Sequence, residues 1–180
     1  MMHEPFSPYR ASEFQVKFST SDWERQEAHA LRRAVFCEEQ KIFESDDRDA
    51  IDDHAIPIVA LSMMGVAADR LVGTVRIHQE EPGLWWGSRL AVHEDFRKIG
   101  ALGATLIRLA VSSANAMGCH TFLANVQVQN GLLFRRLHWD VIEEFEVYGK
   151  PHLQMKADLA WYPPCPTPET GLVALARKAA

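Results

Sequence analysis

Apolar and polar positions alternate over Phe14–Ser19, the pattern of a half-buried strand. Ser21, with Glu24 three residues on, marks a helix start. Ala28, Leu31, Ala34 and Val35 then recur on one side, which predicts a helix from about Asp22 to Glu38. The stretch Glu44–His54 is acidic and breaks the period, so it reads as a loop holding at most a helical turn. Ile56–Met63 and the β-branched run Leu71–Gln79 predict a hairpin, with Ala-Ala-Asp-Arg in the turn across Gly65–Arg70. Leu84–Trp86 and Ser88–Val92 form a further strand region. Gly100–Met117 has the clearest helical period, with Leu102, Leu106, Ile107, Leu109 and Ala110 on its apolar face and Gly118 placed as its C-cap. Thr121–Val126 reads as a strand, Gly131–Leu137 as a short helix, and Val141–Val147 and Leu153–Trp161 as two strands. A proline-rich tail follows, with a short helix expected over Leu172–Ala179. Strands occur both in hairpins and across helical crossovers. The fold class is therefore α/β (α+β), with helices packed on a mixed sheet.

A chain of 180 residues makes one domain and buries a core without staples. Its 47% hydrophobic content excludes a disordered chain, and a net charge of −5 argues against nucleic acid as a partner. No apolar run is long enough to span a membrane. The opening Met-Met-His-Glu-Pro-Phe-Ser-Pro-Tyr-Arg lacks the order of a signal peptide, so a cytoplasmic location is expected. Cys37, Cys119 and Cys165 are far apart, and the histidines lack ligand spacing. Neither a disulfide framework nor a metal site is expected.

The chemistry concentrates where the strand ending at Val92 meets the long helix. Arg97-x-x-Gly100-x-x-Gly103 opens that helix. A helix N-terminus carries unpaired N–H groups and a partial positive charge, and so binds anions. Glycines admit a phosphate close to the backbone, and Arg97 and Lys98 add charge. The segment is neither a Walker A loop nor a dinucleotide fingerprint. It is a pyrophosphate cradle of a third kind or an ordinary strand–helix turn whose glycines serve packing. These residues alone do not separate the two.

Four segments, in order, resemble the GNAT superfamily (Gcn5-related N-acetyltransferases). Leu90-Ala91-Val92 and Arg97-x-x-Gly100 match its strand and signature, although Leu102 stands where Gly or Ala is usual and the second glycine falls at Gly103. Leu123–Asn130 followed by Phe134-Arg-Arg-Leu-His-Trp139 looks like its next strand, turn and "Tyr-x-x-Leu-Gly-Phe" segment. Arg33-Ala-Val-Phe-Cys-Glu-Glu-Gln40 with Asp46–Asp53, and Gly149-Lys-Pro-His-Leu-Gln-Met155, are similar to segments of one branch. That branch is a bacterial group linked with nitrogen starvation and found beside nitrilase-like genes. The resemblance implies a mostly antiparallel sheet of six to seven strands with helices on both faces. It places the acyltransferase domain at residues 14–162, between an N-terminal extension (1–13) and the tail (163–180).

The resemblance also implies a function: N-acetyl transfer from acetyl-CoA to a small amine by direct attack, with no metal. The pantetheine would lie along Leu90, Ala91 and Val92. The pyrophosphate would sit on Arg97, Lys98, Ile99, Gly100, Ala101, Leu102, Gly103 and Ala104, with Asn130 and Phe134 also at the cofactor. The family's usual thiolate-protonating Tyr is replaced by Phe134. Glu38 and Glu39, at the end of the first helix, and His152, in a late strand, are the candidate bases. Each has a plainer alternative as a surface carboxylate or a sheet hydrogen-bonding group. The acidic run is either a field for a cationic amine or a solvated loop. Trp85 and Trp86 suit core packing, a homodimer interface or a pocket wall. Two alternative functions remain: a non-catalytic acyl-CoA-binding module, and an enzyme of the acyl-homoserine lactone synthase type, whose "Val-Phe-Cys-Glu-Glu-Gln" and acidic segments are similar.

Overall fold

A computed structural model describes residues 9–177. Its element order is β1 (Glu13–Phe18), α1 (Asp22–Arg32), β2 (Ile56–Met64), β3 (Ala67–Glu81), β4 (Leu84–Val92), α2 (Gly100–Ala116), β5 (Thr121–Gln127), α3 (Gly131–Arg136), β6 (Trp139–Val147), β7 (Lys150–Ala157) and β8 (Leu172–Leu175). The eight strands form one sheet in the order β6-β7-β5-β4-β3-β2-β1-β8. Every neighbouring pair is antiparallel except β4 with β5.

The two helices of the alternating pattern cover opposite faces. Leu102, Leu106, Leu109 and Ala110 of α2 pack on Phe14, Val16, Ile58, Ala60 and Ile77. Ala28 and Leu31 of α1 pack with Val59, Leu61, Leu71 and Ala91 on the other side. Strand periodicity of two sends alternate residues to these two cores. Gly73 marks the closest approach of α2, since a Cβ there would lie 2.9 Å from Leu106 Cδ1.

Several sequence expectations are corrected. The helix expected to Glu38 is α-helical only to Arg32, and Arg33–Glu39 continue as a π-helix. Ser21 makes no side-chain cap; instead the Glu24 carboxylate accepts from the Thr20 amide and from Lys17 Nζ, both at 2.9 Å. The hairpin turn is Gly65-Val66, with Gly65 at φ +63°, so the expected turn residues Ala67–Arg70 belong to β3. The tail helix is instead β8, which pairs with β1 and adds an edge strand to the sheet. The segment before β8 also bonds to the rest of the fold, with the Cys165 amide on the Ser112 carbonyl and the Pro168 carbonyl on the Phe18 amide. Most of the N-terminal extension (1–8), with the start of the signal-peptide reading, and positions 178–180 lie outside the described residues. Among the described residues no helix is long and apolar enough to cross a membrane, and no group of three His, Cys, Asp or Glu is placed to hold a metal.

Candidate active site

Strands β4 and β5 run side by side only from Leu84–Gly87 against Thr121–Ala124. Beyond that they part. Arg89 takes a left-handed backbone (φ +56°), and the ladder with β3 skips Arg89 and Leu90. Such a bulge bends its strand and leaves backbone groups unpaired. Above the split, Ser88–Val92 turn away with β3, while Asn125–Gln127 follow β7.

The bulge is fixed by charge. Arg89 Nε donates to Asp47 Oδ2 (3.0 Å), and its Nη2 reaches the Asp47 carbonyl and Asp49 Oδ2. Arg32 donates to Asp47 (2.6 Å) and, through both Nη atoms, to Asp52. Arg76 forks onto Asp49 at 2.7 and 2.9 Å and lies 2.8 Å from Asp52. Asp47 and Arg32 are almost wholly buried. The acidic run is therefore neither a free field nor a solvated loop: three of its aspartates neutralise three arginines from α1, β3 and β4. Burial works against ionising Asp52, yet its bonds from Arg32 and Arg76 hold its carboxyl well below the usual range. The Arg76 fork likewise lowers Asp49. Arg32 and Arg76 carry the pattern's missed signal, because a basic residue on an otherwise buried strand or helix face needs a carboxylate partner.

A cavity of about 450 Å³ runs through the split. On the α2 side it is lined by Leu90, Ile107, Ala110, Phe122, Val126, Asn130 and Phe134. Phe134 is buried and edge-on to Trp139 at 5.1 Å. On the α1 side the lining is Phe36, Gln40, Phe43, His78, Glu80, Trp86, Ser88, Gln127, Tyr148 and His152. Gln40, closing the π-helix, ties both halves of the sheet: its side chain accepts from Gln127 Nε2 (2.9 Å) and its carbonyl from Lys150 Nζ (3.3 Å). Tyr148 arches over the same opening, with its ring 5.2 Å from Phe43.

The N-terminus of α2 follows the end of β4 and lies outside the residues that line the cavity. The N–H groups of Gly100 and Ala101 donate to no group among the described residues. A Cβ on Gly100 or Gly103 would meet nothing within 4 Å. Packing therefore does not account for either glycine, and the space in front of them is open. Leu102 corrects the expected cradle. Its side chain is fully buried and its amide donates to the Ile99 carbonyl, so it has nothing left to offer a ligand. The departure from the motif is thus a core residue turned inward.

The candidate bases separate. Glu38 is exposed and lies off the cavity. Glu39 also lies off the cavity, gripped by Arg97 through both guanidinium Nη atoms (2.5 and 2.7 Å), while Arg97 Nε donates to the Val92 carbonyl. These bonds hold the Glu39 carboxyl below its usual range, the wrong direction for a base at neutral pH. His152 is buried at the cavity wall. Its Nδ1 is 2.9 Å from the Lys150 carbonyl. A carbonyl only accepts, so Nδ1 carries the proton and Nε2 is left as an acceptor. The two tryptophans divide: Trp85 is in the core and Trp86 in the cavity wall.

The acetyltransferase (GNAT) family model matches residues 14–138, more than half of the chain. The chain belongs to the GNAT family. The chain is similar to the uncharacterized protein YyaT of Bacillus subtilis (strain 168), 24% identical over 153 residues, covering 81% of this chain and 96% of YyaT. Among solved structures, a candidate N-acetyltransferase from Lactobacillus plantarum superposes with a TM-score of 0.71 at 23% identity, covering 80% of this chain and 97% of its own. Escherichia coli ElaA does so with a TM-score of 0.65 at 21% identity, over 81% and 98%. At these identities the shared property is the GNAT fold. Membership implies acyl-CoA-dependent N-acyltransferase chemistry, with an acyl-CoA and an amine as the reactants.

Proposed function

We propose that the protein transfers an acetyl group from acetyl-CoA to the primary amine of a small molecule. The observation that carries this reading is the parting of β4 and β5 around one cavity that has His152 in its wall; the open first turn of α2, which follows β4 in the chain, supports it. The pyrophosphate rests on the amides of Lys98, Gly100, Ala101, Gly103 and Ala104. The pantetheine runs along Leu90–Val92 toward Asn130 and Phe134. An unpaired N–H beside the bulge stabilises the thioester oxyanion. The Arg33–Gln40 and Asp46–Asp53 segments support placement in the nitrogen-starvation branch.

His152 Nε2 takes the proton from the incoming ammonium. The neutral nitrogen then attacks the thioester carbon, the C–S bond breaks, and CoA leaves as a thiolate that solvent protonates. Phe134 has no proton to supply. Much of the rate comes from holding the two reactants in line.

The test is steady-state release of CoA thiol over an amine panel, for the native protein and His152→Gln. The expected result is turnover by the native protein and a fall in kcat of about 100-fold in the variant. The KM for acetyl-CoA should hold. Tight acetyl-CoA binding without acetylation of any amine would instead make this a non-catalytic acyl-CoA-binding module, the reading that Phe134 favours.

A further inference from the structure

The α1-side half of the cavity ends below the split, where the strands are still paired. There His78 faces Trp86 across the β3–β4 ladder, and Glu80 lies two residues on. All three line the cavity. Trp86 Nε1 donates to Glu80 Oε2 at 2.7 Å, which orients a carboxylate that is open to solvent. His78 Nδ1 is shielded from solvent and has no hydrogen-bond partner. The imidazole itself belongs to the cavity wall, with its ring edge-on to that of His54 at 5.7 Å.

Charge then narrows the ligand. The other charged side chains around this cavity are balanced within the arginine–aspartate cluster: Arg32, Arg76 and Arg89 against Asp47, Asp49 and Asp52. Glu80 is the one lining carboxylate or guanidinium outside that cluster. A carboxylate, an indole face and an imidazole nitrogen together suit a cation.

Resting on the acetyl-transfer reading above, we propose that His78, Glu80 and Trp86 form a distal subsite for a second ammonium group, making the preferred acceptor an elongated diamine. Trp86 and Leu90 are separated along β4 by three advancing residues, because Arg89 is taken up in the bulge. At roughly 3.3 Å per residue, that span from the subsite to the bulge is about 10 Å, which sets the length of acceptor to try. The Glu80 carboxylate pairs with the second ammonium directly, and the Trp86 ring covers one side.

The experiment compares diaminooctane, whose nitrogens lie about that far apart, with octylamine as the monocationic control. Calorimetric binding to the full chain needs no turnover. The proposal expects diaminooctane to bind at least tenfold more tightly than octylamine. It expects Glu80→Gln to erase that difference, and His78→Asn to reduce it. Equal binding of the two amines, or an undiminished preference in Glu80→Gln, overturns the subsite. Acetylation of the bound diamine is followed separately. Tight, Glu80-dependent binding without acetylation keeps the subsite and overturns the catalytic reading.

Discussion

Arg97 is the residue where sequence and structure say most to each other. The motif marks it as a phosphate ligand, yet its guanidinium Nη atoms are held by Glu39. If Arg97 is to bind a pyrophosphate, it must first give up the Glu39 carboxylate. Glu39→Gln should therefore alter donor affinity more than the proton-transfer step. With the competing charge gone, acetyl-CoA is expected to bind several-fold more tightly, because an exposed ion pair of this kind stabilises by only about 1 kcal/mol or less. Calorimetry checks this, and an unchanged Kd would show that Arg97 stays on its own chain when the donor is bound. The order of the motif residues was legible in the sequence. Their interplay was not, since 58 positions separate Glu39 from Arg97 and no local spacing links them. His152 was legible for a local reason: an imidazole two residues after Lys150 in a strand satisfies Nδ1 on that carbonyl. Leu102 differs from Gly100 and Gly103 because its side chain faces the core, whereas the space beside the two glycines is open.

The element that most changed meaning is the acidic segment. A run of aspartates reads as solvated, because charge is ordinarily hydrated. Here Asp47, Asp49 and Asp52 reach into the protein, and the pattern alone does not reveal which of six acidic side chains between positions 44 and 53 turn inward. The segment acts as a brace that fixes the bulge at Arg89 and with it the edge of β4 that faces the split. The pH dependence follows from the sign of the shifts. Asp49 and Asp52 have carboxyls lowered by folding, so their contribution is complete above the unfolded value of about 4 and is lost as pH falls through the folded value. Thermal melts should show stability declining from about pH 4 downward. Asp52→Asn should be less stable at neutral pH and show a flatter acid slope. An acid slope identical to that of the native protein would remove Asp52 from the brace. The helices and central strands, by contrast, were readable because their periods report burial directly. The tail strand was not, since Leu172–Leu175 is short and gains its order from pairing with β1.

At the scale of the whole molecule, one sheet is divided into two halves that share a four-residue parallel ladder and α2. The fold class was legible because four motifs fall in order along the chain. The division itself was not, because a split depends on where pairing stops, and no residue pattern marks that point in β5. The halves are joined again across the α1 side by Gln40, which bonds to both β5 and β7. The result is a cavity lined from both the α2 and the α1 side of the sheet, to which the proposed function assigns the donor and the acceptor. The central claim is that acyl-CoA enters this cavity with its pyrophosphate on the first turn of α2. The most direct test is calorimetric titration of acetyl-CoA into the native protein and into Gly100→Glu. A side chain at position 100 meets open space, and a carboxylate at a helix N-terminus stabilises by about 0.3–1 kcal/mol, so the variant should fold and melt no lower than the native protein. The account predicts micromolar binding to the native protein and none to this folded variant. Equal affinity for both would contradict it and place the donor elsewhere.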